Sequence, residues 1–149
     1  EEQPDFLPDA LESGTPNVVG LAGLAASVQW IREASVAAIR EHECRLAQRL
    51  IDGLAAIDGV KVYGNSDASH RTATVSFTIH NIEVSAIAQQ FDERFGIMCR
   101  AGLHCAPSAH KTIGTFPNGT ARFGIGYFTT ESQIDAALQA VAAIAREAR

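Results

Sequence analysis

The chain has 149 residues, 46% of them hydrophobic and 19% charged, the size of one ordinary domain able to bury roughly two-thirds of its surface around one core. A net charge of -5, with Lys61 and Lys111 as the only lysines, gives no general attraction for a phosphate backbone and argues against nucleic acid as a partner. The longest weakly polar stretch, Val18 to Val28, is too short to span a bilayer, so no membrane partner is expected, and three cysteines without a secretory leader point to reduced thiols in a cytoplasmic protein.

The chain opens with Glu1-Glu2-Gln3-Pro4 rather than methionine, as expected of an N-terminus made by processing or by a chosen boundary. Residues 1–13 hold two prolines and five acids and read as an extended lead-in. Gly14-Thr15-Pro16 then supplies an N-cap hydroxyl at Thr15 and a proline at the first helical position, and Leu21, Leu24, Ala25, Val28 and Ile31 follow at helical spacing. A second predicted helix carries Val36, Ile39, Leu46, Leu50 and Leu54 on one stripe and stops near Asp58-Gly59.

Val60 and Val62 around Lys61 predict a short strand, and Ala73, Val75, Phe77 and Ile79 alternate with polar residues as a half-buried strand does. Val84, Ile87, Ala88, Phe91 and Phe95 return to the helical period until Gly96, and Ile97 to Cys99 reads as a short strand. Residues 100–119 show neither period and hold Gly102, Pro107, Gly114, Pro117 and Gly119, so a long functional loop is expected there. Ala121, Phe123, Ile125 and Tyr127 alternate with Arg122, Gly124 and Gly126, and a last helix starts at a capping box of Thr130 and Gln133. The order predicts an α/β fold of α+β type, a small mainly antiparallel sheet covered by helices on one face.

Three places carry residues fit for chemistry. Gly14 and Thr15 at a helix start leave backbone N–H groups and the positive dipole end available to a phosphate; the alternative is that Thr15 only caps its helix. In Arg100-Ala101-Gly102-Leu103-His104-Cys105-Ala106-Pro107 a cysteine has Arg100, His104, His110 and Lys111 nearby, and positive neighbours favour the attacking thiolate. Cys44 and Cys99 read as small buried hydrophobes instead. A zinc site from Cys99, His104, Cys105 and His110 is the competing reading, but the spacing matches no common ligand pair and no metal is expected. Arg122, flanked on its face by glycines, has a cleared surface on which a guanidinium can pair with a small carboxylate; a solvated strand arginine is the alternative. Asn118-Gly119-Thr120 matches the glycosylation triplet and, with no secretion signal, is read as chance.

At these places the sequence resembles the class V aminotransferase family, in its branch of cysteine desulfurases and selenocysteine lyases. Glu12 to Asn17 resembles the family's phosphate-contacting turn, Arg100 to Pro107 its nucleophile loop, and Arg122 to Thr130 its substrate-arginine strand. The resemblance implies that residues 14–149 are the C-terminal small domain of a pyridoxal 5'-phosphate enzyme, that Gly14 and Thr15 contact the cofactor phosphate across a homodimer, and that Arg122 holds the carboxylate of L-cysteine. It implies further that Cys105 is the catalytic residue, taking the sulfur as a persulfide for delivery to an acceptor protein. The family's cofactor lysine and its cofactor-contacting aspartate and histidine have no counterpart here, and Lys111 falls in the wrong part of the pattern. An isolated chain is therefore expected to be inactive. Other readings are a selenocysteine lyase, another class V aminotransferase, or a non-enzymatic persulfide carrier.

Overall fold

The computed structural model describes residues 3–12 and 14–148. The chain divides into two compact units, residues 1–36 and 37–149. In the first, the lead-in is not extended throughout: Asp9–Leu11 forms a 3-10 turn, and the Gln3 amide donates to the carbonyls of Asp9 and Glu12 at 2.7 and 2.8 Å. Helix α1 spans Val18–Ala34 and starts later than Thr15 and Pro16 led us to expect. Asn17 is its N-cap, accepting from the Gly20 N–H at 3.0 Å. Asparagine caps at least as well as threonine, and it stands nearer the apolar run, so it wins. Ser13, part of the phosphate-turn motif, lies outside the described residues.

Ser35, at a φ of 63°, ends α1, and α2 follows over Val36–Ala55. Beyond it come β1 (Val60–Tyr63), a 3-10 turn at Ala68–His70, β2 (Thr74–Ile79), α3 (Val84–Phe95), β3 (Arg100–Gly102), α4 (Pro107–Thr112), β4 (Thr120–Gly124) and α5 (Glu131–Glu147). The strands form one sheet in the order β1-β2-β4-β3, antiparallel at every pairing. This is the α+β architecture expected from the element order.

Strict alternation decides which face is buried. Val75, Phe77 and Ile79 on β2 and Ala121 and Phe123 on β4 point one way, into a cluster with Leu46, Leu50 and Leu54 of α2, Ile87 and Phe91 of α3, and Val141 and Ile144 of α5. Phe77 stacks on Phe123 at 5.2 Å between ring centroids, and Phe91 meets Phe123 edge-on at 5.3 Å. Fully burying one such ring is worth about 1.5–3 kcal/mol. The capping box holds at the start of α5, where the Thr130 N–H donates to Gln133 Oε1 at 2.9 Å and the Gln133 N–H returns to Thr130 Oγ1 at 3.3 Å.

Two stretches differ from the sequence reading. Ile97 to Cys99 is not a strand: the strand begins at Arg100, which places Arg100 rather than Cys99 on the sheet. Residues 100–119 are not one long loop either, since they contain β3 and α4. Tyr127 lies beyond the end of β4, which closes at Gly124.

Candidate nucleophile turn and arginine row

Gly102, at a φ of 106°, ends β3, and Pro107 stands in the first turn of α4, where its missing N–H costs nothing. Between them the chain reverses in a four-residue turn closed by the Ala106 N–H on the Leu103 carbonyl at 2.8 Å. Its two central residues, His104 and Cys105, have φ of 52° and 59°. Two positive φ values are the sign pattern of a primed turn, a position usually given to Asn-Gly. For ordinary side chains such backbone costs about 1–3 kcal/mol per residue and persists only where the surroundings over-determine it. Cys105 therefore sits exposed at the corner of this turn.

Of the four basic neighbours the sequence offered, only Arg100 has a contact with the sulfur: its guanidinium donates to Cys105 Sγ at 3.8 Å. The Lys111 ammonium lies over the Phe116 ring at 5.1 Å. His110 is 4% exposed, with Nδ1 2.6 Å from Thr115 Oγ1. The His104 ring turns inward, its Nε2 3.2 Å from the hydroxyl of the fully buried Thr120 and its centroid 5.6 Å from that of His110. Burial, with the Arg122 charge next, holds the His104 imidazole below its usual range; hydrogen bonding to Thr120 pulls the other way without prevailing.

Sheet register supplies what the sequence could not. Arg122 of β4 lies directly opposite Arg100 of β3 on one side and Ser76 of β2 on the other. Directly paired residues share a face, so Ser76, Arg122 and Arg100 form a row across the side of the sheet away from the hydrophobic cluster. Like charges set opposite each other destabilise a sheet, and among the described residues no carboxylate forms an ion pair with either arginine. An incoming anion relieves that repulsion, and a carboxylate suits the planar guanidinium forks. Arg100 was taken from sequence only as a charge near Cys105; its second role as the cross-strand partner of Arg122 follows from the shift of β3 by three residues.

Gly14 and Thr15 lie in the first unit, both exposed. Gly14 has a φ of 77° and open space where a Cβ would project, so its backbone is approachable by a phosphate oxygen. Thr15 does not cap α1, which leaves its hydroxyl out of the helix. Because α1 begins at Val18, the N–H groups of its first turn are not those of Gly14 and Thr15, and what these two offer a phosphate is exposed backbone and a hydroxyl; Arg122 offers a carboxylate its guanidinium. Of the two lysines, Lys61 sits over Tyr63 at 5.1 Å and Lys111 over Phe116. Among the described residues, no three His, Cys, Asp or Glu side chains converge to hold a metal ion.

An exposed thiol at the corner of a turn thus touches one of two arginines paired across neighbouring strands. The aminotransferase class-V family model matches residues 2–137, and the chain belongs to that family. It is 34% identical over 131 residues to a probable cysteine desulfurase of Methanothermobacter thermautotrophicus, covering 87% of this chain and 32% of that protein. Among solved structures, the apo cysteine desulfurase of Thermococcus onnurineus superposes with a TM-score of 0.85 at 28% identity, over 94% of this chain and 34% of the other. The Escherichia coli cysteine desulfurase CsdA, in its S-sulfonic acid form, gives 0.80 at 30% identity, over 94% and 33%. The chain thus spans about a third of the length of the relatives it matches. Among the described residues no helix is long and apolar enough to cross a membrane.

Proposed function

We propose that the chain is the C-terminal small domain of a pyridoxal 5'-phosphate-dependent cysteine desulfurase, which takes sulfur from L-cysteine onto Cys105 and releases L-alanine. The observation that carries this reading is the placement of the exposed Cys105 thiol beside Arg100, whose cross-strand partner is Arg122. Arg122 and Arg100 bind and orient the substrate carboxylate, which fixes the direction from which the substrate sulfur meets the turn. Gly14 and Thr15 contact the cofactor phosphate of the neighbouring subunit across the homodimer. When bound, the cofactor stores the electrons released on deprotonating the substrate and so weakens its carbon–sulfur bond.

The Cys105 thiolate attacks the substrate sulfur, forming a sulfur–sulfur bond as the carbon–sulfur bond breaks. The electron pair of that bond goes to carbon, which takes up a proton and leaves as alanine. Thiol plus cysteine becomes persulfide plus alanine, with no external oxidant. The persulfide on its exposed corner is then open to an acceptor. The exposed apolar side chains of α1, Val18, Leu21, Leu24 and Val28 among them, fit a chain that is part of a larger homodimeric protein. The cofactor lysine belongs to that remainder, and the 149-residue chain by itself is inactive.

The test uses the full-length protein loaded with pyridoxal 5'-phosphate, assayed for alanine and for persulfide by mass. Cys105→Ala is expected to abolish desulfuration while leaving residual transamination, and Arg122→Ala to raise the KM for cysteine about tenfold or more, the loss of one charge-assisted pair. Undiminished alanine release from the Cys105 variant overturns Cys105 as the sulfur acceptor, and cysteine turnover in the unaltered protein without any alanine marks another class V aminotransferase. Release from selenocysteine alone marks a selenocysteine lyase.

A further inference from the structure

One polar ring without a part in this chemistry, that of His104, sits beside the nucleophile. We infer that His104 is a positioning residue: its neutral imidazole tethers the Cys105 turn to β4 and thereby sets the sulfur against Arg100 and Arg122. The inference rests on the reading of Cys105 as the nucleophile.

His104 and Cys105 share the two left-handed positions of the turn, and neither is a glycine or an asparagine. The one closing hydrogen bond, Ala106 to Leu103, is common to all such turns and does not explain why this costly conformation persists. The side chain of His104 supplies a further constraint. It reaches from the turn to Thr120, which is fully buried and lies two residues before Arg122 on the same strand. Thr120 also faces Gly102 in the β3–β4 register, so the tether closes a short circuit of strand, turn and strand.

The ring's other nitrogen fixes its form. Nδ1 is buried and has no hydrogen-bond partner among the described residues. A buried bare lone pair is less costly than a buried unpaired N–H, so the proton resides on Nε2, where it is donated to Thr120. The titratable and charged groups that face the ring are Arg122 from β4, Arg100 from β3 and His110 from α4, and each disfavours a second proton on His104. Protonation would place a buried N–H at Nδ1 facing no acceptor. His104 therefore serves as a fixed neutral donor to Thr120 rather than as an acid or base.

Two explanations of residue 104 separate cleanly. If the tether matters, His104→Gln preserves function, because a glutamine amide reaches about as far as Nε2, whereas His104→Asn does not, being too short. If only tolerance of positive φ matters, asparagine serves and glutamine fails. The experiment is iodoacetamide alkylation of the 149-residue chain, with rates at Cys44, Cys99 and Cys105 resolved by peptide mass. His104→Ala and His104→Asn are expected to slow alkylation of Cys105 about threefold or more, because the sulfur leaves the Arg100 guanidinium, while His104→Gln stays near the wild-type rate. The rates at Cys44 and Cys99 are expected to hold.

An unchanged Cys105 rate in His104→Ala overturns the inference. So does rescue by asparagine but not glutamine, and so does a parallel rise at Cys44 and Cys99, which marks loss of the fold instead. Alkylation needs neither cofactor nor cysteine, so this result is independent of whether the full-length protein forms a persulfide.

Discussion

Cys99 and Cys105 are six positions apart, yet they have opposite chemical fates. Burial pushes the Cys99 thiol up to about 11, because the anion has no partner to replace water, whereas Cys105 stands exposed with Arg100 donating to its sulfur. Alkylation proceeds through the thiolate, so below about pH 9 the reagent is expected to enter Cys105 and spare Cys99. At every pH well below its pKa the Cys99 rate climbs about tenfold per unit, and it levels off only above about 11, where the thiol is half ionised. Peptide mass after limited alkylation at a series of pH values checks this, and early modification of Cys99 would show that its neighbourhood opens. At this scale an exposed Cys105 and a partly buried, core-packed Cys99 were legible from residue type. Arg100 as the partner of Arg122, and His104 as a tether, were not, because both depend on strand register and turn handedness, which one residue off changes entirely.

Periodic elements were read well where one face is wet and the other dry. β2 alternates without error from Thr74 to Ile79, and α5 begins at the box of Thr130 and Gln133. The misreadings fall where elements are short: β3 has three residues and α4 six, too few to show a period. Glycines fix that region instead. Gly119, at a φ of 82°, lies so near β3 that a Cβ would meet the Gly102 carbonyl oxygen at 2.1 Å and its carbon at 2.2 Å. Those atoms are backbone and cannot swing aside. Gly119→Ala therefore combines a left-handed penalty with a forced separation of β3 from β4, and roughly 2–5 kcal/mol of destabilisation is expected in urea denaturation. A loss under about 0.5 kcal/mol would mean that the two strands part easily, and the fixed relation of Arg100 to Arg122 would go with it.

For the molecule as a whole, the sequence reading of one core is answered by where the buried residues lie. Every buried apolar residue among those described falls between Leu46 and Ala145, inside the unit of residues 37–149. That unit holds the whole sheet, α3 to α5 and nearly all of α2. Its α2 and α5 are also joined at the surface: Arg49 pairs with Asp135 at 2.8 Å, and Arg45 pairs with Glu131. Such exposed pairs contribute at most about 1 kcal/mol each, so the hydrophobic cluster sets the stability. A chain of residues 37–149 is accordingly expected to unfold in one cooperative step, with a calorimetric enthalpy equal to the van't Hoff value. Sequence patterning could not reveal this division, because α1 carries an apolar stripe like that of a core helix, yet buries none of its side chains. A broad, non-cooperative transition for residues 37–149 would assign α1 a part in the core after all. A sharp one leaves its exposed stripe to a surface outside these 149 residues.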